Sequence, residues 1–154
     1  MVLLVKKICE IIESGADFDT VVSKAELYSN HTHIVFALSS FNNLVKNGRM
    51  SKIVGFVANK LGFWGIGIGS KQGTIEIKQK IRGSKKALDA IIDDMKERGY
   101  NCGKVVISHC RNAEFAESVK SAIQSVWDKA EVKIVHARGL CSYYAEKGGL
   151  IIGF

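Results

Sequence analysis

The sequence contains no proline, and no serine- or glycine-rich linker interrupts it. Linkers between domains are commonly built from these residues. The 154 residues suffice for one domain with a hydrophobic core, and the 47% hydrophobic and 24% charged fractions are ordinary for globular proteins. The composition therefore predicts a globular chain without an internal linker.

Long hydrophobic runs and paired cysteine motifs are also missing. No apolar run approaches the roughly 18 residues that a membrane-spanning helix needs. The first residues, MVLLVKKICEII, lack the basic start, long apolar stretch and small-residue cleavage site of a signal peptide. The four cysteines, at positions 9, 102, 110 and 141, form no C-x-x-C pair, so we expect free thiols in a reducing cytoplasm.

Basic residues outnumber acidic residues by 22 to 15, which gives a formal net charge of +7. Such an excess is compatible with a nucleic-acid partner. The lysines are spread over nearly every segment and often stand beside acidic residues, as in DDMKER, which is typical of solvated surfaces. A nucleic-acid-binding module is therefore an alternative that rests on net charge alone.

Two helices are predicted at the start of the chain. Apolar residues recur at helical spacing in residues 2–13, with Val5 and Ile12 on the apolar face. Asp17 is a typical N-cap for a second helix, in which Phe18 begins the apolar face. The run THIVFAL, rich in branched residues, then predicts a buried strand.

The stretch GFWGIGIGSKQG, residues 62–73, carries five glycines. A Walker loop would need Gly-Lys followed by Ser or Thr at the start of a helix, whereas here Ser70 precedes Lys71. Instead, the tryptophan and the isoleucines alternate with glycines at the period of a strand. A strand with one bare face requires something close against it, either a tightly packed helix or a long, thin ligand.

The remaining chain alternates between predicted helices and strands. The isoleucines at 75, 77 and 81 continue the alternation after a short connection and predict a hairpin. Helices are predicted to begin at Ser39 or Ser40, Ser51, Ser84 and Asn112, and KVVISH, EVKIVHA and GGLIIGF are predicted strands. The expected fold is α/β, with a mixed, mostly antiparallel sheet flanked by helices.

Several motifs resemble the C-terminal domain of the DegV family. They include the turn GRMS at residues 48–51, the helix start RGSKK at 82–86 and the strand end ISH at 107–109, and their order and spacing carry the resemblance. By this resemblance, residues 1–30 are a helical interdomain-type segment and residues 31–154 are the lipid-binding domain. By the same resemblance, we expect that this sequence lacks the family's N-terminal domain.

The resemblance implies a bacterial, cytoplasmic fatty-acid-binding protein that is not itself an enzyme. Its ligand would be a long-chain fatty acid whose acyl chain lies in an apolar slot. Hydroxyl residues of the missing N-terminal domain would hold the carboxylate, and some family members present that carboxylate to a partner fatty-acid kinase. We expect no metal and no cofactor. The surface that the missing domain would cover favours a homodimer.

The resemblance also suggests site residues. Family members usually end in a G-x-H-x-G-P-G segment whose histidine faces the carboxylate, and here Tyr144 stands in its place within SYYAEKGG. Tyr144 is thus a head-group candidate, as are Arg49, whose planar fork of donors suits a carboxylate, and His109 at a strand end. The candidate walls of the acyl slot are Ile53, Phe56, Val57, Leu61, Gly65, Gly67 and Tyr143.

A small-molecule enzyme domain is the second alternative. It would need a nucleophile with an adjacent base, or a metal cluster, and neither can be identified in the sequence. His136 lies within an apolar run and is predicted to be a core histidine with satisfied hydrogen bonds.

Overall fold

The computed structural model describes residues 1–48, 63–70 and 75–154. In chain order the elements are α1 (Val2–Glu13), α2 (Phe18–Asn30), β1 (Ile34–Leu38), α3 (Asn42–Lys46), β2 (Phe63–Gly69), β3 (Ile75–Arg82), α4 (Ser84–Glu97), β4 (Lys104–His109), α5 (Ala113–Val126), β5 (Glu131–His136), α6 (Gly139–Ala145) and β6 (Leu150–Gly153). None of these helices is long and apolar enough to cross a bilayer. The helix predicted after Ser51 lies outside the described residues.

The strands form one sheet in the order β3-β2-β1-β6-β4-β5. The β4–β5 pair is parallel, and the other four neighbouring pairs are antiparallel. The predicted α/β fold with a mixed, mostly antiparallel sheet is therefore confirmed. Strand β6 lies in the middle, where it joins β1 to β4.

The larger core fills one face of the sheet, beneath α4 and α5. Alternate residues of the strands point to this face, and Val35, Ile107 and Ile152 are fully buried there. The helices contribute Ile91 and Val119, which are also fully buried. In this layer, the apolar side chains at every second strand position pack against the apolar side chains that recur at helical spacing along α4 and α5.

A smaller core occupies the opposite face. It contains Phe36 and Leu38 of β1, Phe41 and Leu44 around α3, and Ala145 of α6. Helix α1 reaches the same side of the sheet, because its Leu3 would contact a side chain added at Gly153. The two faces of β1 thus belong to two different cores, which explains why the whole strand is apolar.

The first two helices form where the sequence predicts them, but their predicted buried faces are wrong. Val5 and Ile12 are more than half exposed, whereas Leu3 and Ile11 are buried. Helix α2 has the predicted Asp17 cap, whose Oδ1 accepts a hydrogen bond from the backbone of Thr20 at 2.9 Å. No residue of α2 is buried, however, because it packs on α1 and not on the sheet.

Three other predicted helix starts differ in detail. Phe41 and Gly83 occupy the N-cap positions of α3 and α4, so the serines predicted there do not cap. Asn112 does precede α5, but its side-chain amide donates to the carbonyl of Gly148 at 2.8 Å and not to the helix.

The hairpin of β2 and β3 is confirmed and contains a β-bulge. The register of the pair shifts between Ile66 and Gly67, so that Lys78 has no opposite residue. After the bulge Ile81 packs against the larger core, whereas Ile77 packs against the smaller one. The continuous alternation predicted through Ile81 is therefore wrong, because one extra residue reverses the faces.

Candidate functional site

An apolar cavity of about 250 Å³ lies on the smaller-core face of the sheet. Its lining residues are Ile34, Phe36, Leu38, Leu44, Gly69, Ile75, Tyr144, Ala145 and Ile151. Alternate residues 34, 36 and 38 of β1 form its floor, and the four-residue step spans about 13 Å at 3.3 Å per residue. The cavity is thus a narrow trough that runs along β1, suited to a thin apolar ligand.

The bare face of the glycine strand is filled by two aromatic rings. A side chain added at Gly67 would collide with the backbone carbonyl oxygen of Glu76 and would approach the ring of Phe36 to 2.5 Å, and one added at Gly65 would collide with the ring of Phe41. Phe36 is the direct cross-strand neighbour of Gly67. The two glycines therefore position the rings and do not line the cavity themselves, although Phe36 does.

A polar network joins α3 to α6 at one end of the trough. The carboxylate of Glu146 accepts hydrogen bonds from the Ser40 hydroxyl at 2.6 Å and from the backbone N–H of Asn43 at 2.9 Å. The side-chain amides of Asn43 and Asn47 donate to the carbonyl and hydroxyl of Tyr143, at 2.8 and 3.0 Å. This network holds α6 beside the cavity.

The two tyrosines predicted for the site occupy different positions. Tyr144 lines the cavity, whereas Tyr143 is 45% exposed and belongs to the polar network. Their rings pack edge to face with centroids 5.2 Å apart. Of the two predicted head-group residues that the structure describes, Tyr144 lies in the cavity wall and His109 does not.

His109 lies at the same end of the sheet but on the opposite face. It is buried and follows Ile107 in the alternation towards the larger core. Its Nδ1 is 3.1 Å from the backbone N–H of Asn112, and its ring centroid is 4.5 Å from that of His136. Burial, and to a lesser extent the nearby His136, lower the pKa of His109. A neutral imidazole that accepts through Nδ1 is therefore favoured.

The other predicted site residues, Arg49, Ile53, Phe56, Val57 and Leu61, lie outside the described residues. Within the parts of the chain that the structure describes, no group of three or more histidine, cysteine or acidic side chains could hold a metal ion. All four cysteines are free thiols.

The sequence interpretation missed the β1 floor and Glu146. The floor carries a signal, since residues 34, 36 and 38 share one face of a strand. Glu146 carries none, because its partners Ser40 and Asn43 are more than 100 residues away in sequence.

The fold and the trough together define an α/β protein with an apolar ligand cavity on one face of its sheet. The sequence model described as "Uncharacterised protein, DegV family" matches residues 1–154. A DegV domain-containing protein of Streptococcus pyogenes serotype M1 is 41% identical over 154 residues, which cover 100% of this chain and 55% of that protein. The chain belongs to the DegV family.

Two solved structures show the same fold. The Streptococcus pneumoniae Fatty Acid Kinase (Fak) B3 protein, loaded with linoleic acid, has a TM-score of 0.94 at 39% identity, with 99% of this chain and 54% of that one covered. A DegV family protein from Eubacterium eligens, loaded with heptadecanoic acid, has a TM-score of 0.94 at 35% identity, with 98% and 55% covered. The chain thus spans about half the length of these relatives.

Proposed function

We propose that this chain is the acyl-binding half of a two-domain, cytoplasmic fatty-acid carrier. Residues 1–30 form the helical interdomain-type segment and residues 31–154 the lipid-binding domain. The chain binds a long-chain fatty acid and is not itself the catalyst. In the whole protein, the ligand carboxylate is presented to a partner fatty-acid kinase, in keeping with the name of the Streptococcus pneumoniae relative.

The observation that carries this proposal is the apolar trough along β1. Its floor is aliphatic and aromatic, Tyr144 is the polar side chain in its described lining, and the polar network between α3 and α6 lies next to it. An acyl chain placed along β1 would bury its methylenes between Ile34 and Leu38, with the head group towards Tyr144. The fatty acids in the two solved relatives support the same ligand class.

The energetics require a long chain. Each buried methylene contributes about 0.8 kcal/mol, so about 14 of them give roughly 11 kcal/mol as an upper figure. Association costs on the order of 4–15 kcal/mol. Short acids would therefore bind poorly, and the head-group contacts decide the affinity of long ones.

A matched pair of variants tests this placement. Ile34 and Val45 are both 41% exposed, but only Ile34 lines the trough. We expect Ile34→Trp to fill the far end and to weaken hexadecanoate at least fivefold more than decanoate, on the order of 1 kcal/mol. Val45→Trp should leave both affinities within about twofold of the original chain.

Displacement of a fluorescent fatty acid measures both affinities, and mass spectrometry of the denatured protein identifies any co-purified lipid. Equal effects of the two tryptophans, or no acyl ligand in either assay, would contradict the proposal.

A further inference from the structure

Strand β5 forms one edge of the sheet, and β4 is the one strand beside it in the part of the chain that the structure describes. Its register with β4 runs without a bulge from Glu131 to His136, and the chain contains no proline. Bulges and prolines are two of the devices that protect edge strands from pairing with other chains. Strand β5 therefore presents a regular, open edge.

Alternate residues of β5 turn their backbone groups away from the sheet. Glu131 and Ala137 donate their N–H groups to carbonyls on the β4 side. Because successive residues of a strand direct their N–H and C=O groups to opposite sides, the residues between these two alternate in the same way. Val132, Ile134 and His136 thus direct their donors and acceptors outwards, with no strand opposite them among the described residues.

An open cavity of about 390 Å³ lies at this margin of the sheet. Helices α1 and α5 both line it, and because they lie on opposite faces of the sheet, the cavity reaches around its margin, where β5 is. Most of the polar side chains in the lining are lysines. The charged residues that line the cavity are Lys6, Lys104, Lys120, Lys133 and Glu131. Positive charge is thus concentrated beside the open edge.

This positive charge is only partly compensated within the described residues. Lys104 and Lys120 form ion pairs with glutamates of α1 and α5. Lys6 and Lys133 are exposed, and neither forms an ion pair within the part of the chain that the structure describes. With a net charge of +7, the chain repels a second copy of itself and attracts an acidic partner.

We propose that the open edge of β5 is a docking site for an acidic, extended segment of a partner protein. The segment adds a strand beside β5 and bonds the outward backbone groups of Val132, Ile134 and His136. Its acidic side chains pair with Lys6 and Lys133. The charge of Lys133 on an edge strand repels basic segments and attracts acidic ones. The site is distinct from the trough, because β4 and β6 separate β5 from β1.

The test uses two fluorescently labelled peptides of about eight residues, long enough to cover β5. One alternates valine with glutamate, and in the other glutamine replaces each glutamate. Fluorescence anisotropy at low ionic strength gives the dissociation constant of each peptide from the chain. We expect the glutamate peptide to bind at least about tenfold more tightly, because its side chains gain charged partners. Added salt should weaken this peptide and change the binding of the glutamine peptide little.

Two pairs of variants separate the role of charge from that of backbone pairing. Lys133→Gln should weaken the glutamate peptide roughly three- to tenfold, whereas Lys24→Gln makes the same change in charge on α2 and should have at most about a twofold effect. His136→Pro removes an outward N–H, whereas His136→Ala keeps it and removes the same exposed side chain. We expect the proline to weaken binding at least about fivefold relative to the alanine. Thermal unfolding shows whether each variant remains folded.

Several results would contradict this inference. Equal binding of the two peptides, or equal effects of Lys133→Gln and Lys24→Gln, would show that the edge does not select acidic partners. Equal binding by folded His136→Pro and His136→Ala would show that an acidic peptide binds the lysines without adding a strand. If neither peptide binds, the inference is wrong, and a dimer that His136→Pro weakens would assign the edge to a second copy of this chain. Acyl binding is tested separately and does not depend on these results.

Discussion

At the scale of single residues, the glycines of β2 make room for aromatic rings from the neighbouring elements. Gly67 faces Phe36 across the strand pair, and Gly65 faces Phe41 at the start of α3. Since Phe36 also lines the trough, a side chain at position 67 would change both the packing of the strand pair and the shape of the cavity.

We expect Gly67→Ala to destabilise the chain by about 1–3 kcal/mol, the usual cost of overpacking. The added methyl group would collide with the backbone carbonyl of Glu76 and with the Phe36 ring, and a ring displaced towards the trough would weaken acyl binding as well. Gly153→Ala is the control, because a methyl group there would meet Leu3 at an ordinary 3.5 Å. Urea unfolding measures the difference. Equal losses of unfolding free energy for the two variants would show that the position of the Phe36 ring does not depend on Gly67.

The histidines at 109 and 136 show that the residues next to a side chain in sequence do not determine whether that side chain is buried. His136 stands in an apolar run, which predicts a buried side chain, but it is exposed, whereas His109 is buried. The difference follows from strand position. Strand β4 lies inside the sheet and β5 lies at its edge, and the order of the strands depends on pairings between distant segments.

At the scale of elements, the bulge in β3 turns a lysine towards α4. Lys78 donates to Asp94 Oδ1 at 2.9 Å and to Glu97 Oε2 at 3.0 Å, while Arg98 donates to Asp94 Oδ2 at 2.8 Å. The hydrogen bond that Lys78 donates to Asp94 is the largest cause of the raised pKa of Lys78. Asp94 is nearly buried, with a side-chain exposure of 5%, and Glu97 is 65% exposed.

Asp94→Ala should therefore cost about 2 kcal/mol of unfolding free energy, because it removes two charge-assisted hydrogen bonds from a buried position. Glu97→Ala removes a bond to the same lysine from the surface and should cost less than about 1 kcal/mol. Urea titrations of both variants provide the comparison. A larger loss for Glu97→Ala would mean that the exposed pair, and not the buried one, fixes the bulged strand to α4.

Most helices and strands could be predicted from the sequence, whereas the contacts and the register between them could not. Short apolar runs located β1, β4, β5 and β6, and helical spacing located the long helices α4 and α5, since both signals are local in the sequence. Helix α6 was missed. It is only seven residues long, and its contacts to α3 come from residues about 100 positions away. The bulge at Lys78 was missed for a similar reason, because a register shift belongs to a pair of strands.

At the scale of the whole molecule, the chain exposes apolar side chains on its first two helices. Phe18 is 79% exposed, Leu27 62% and Val5 54%. Apolar groups concentrated in this way are typical of surfaces that another part of a protein covers. The relatives are nearly twice as long as this chain, so a further domain is a candidate for that role.

We expect the chain of 154 residues to bind hexadecanoate at least tenfold more weakly than a version that carries the remaining family domain. By the family resemblance, that domain would supply charge-assisted hydrogen bonds to the carboxylate, each of which contributes roughly 1.5–3 kcal/mol. The short version should also form dimers. Fatty-acid titration at matched salt and analytical ultracentrifugation test both points. Equal affinities together with a monomeric short chain would place the whole head-group site within this sequence.

The central position of β6 has a consequence for synthesis on the ribosome. Strand β1 pairs with β6 through residues about 115 positions apart, as in Ile34 with Gly153, and β4 pairs with the other side of β6. At about 5–20 residues per second, β1 is made roughly 6–23 s before its partner. Until β6 is made, the inner edge of β1 and, once it has been synthesised, that of β4 have no partner strand, and unpaired strand edges promote aggregation. Translation that stops short of Leu150 would thus leave two separate half-sheets, and their exposed edges make them targets for chaperones.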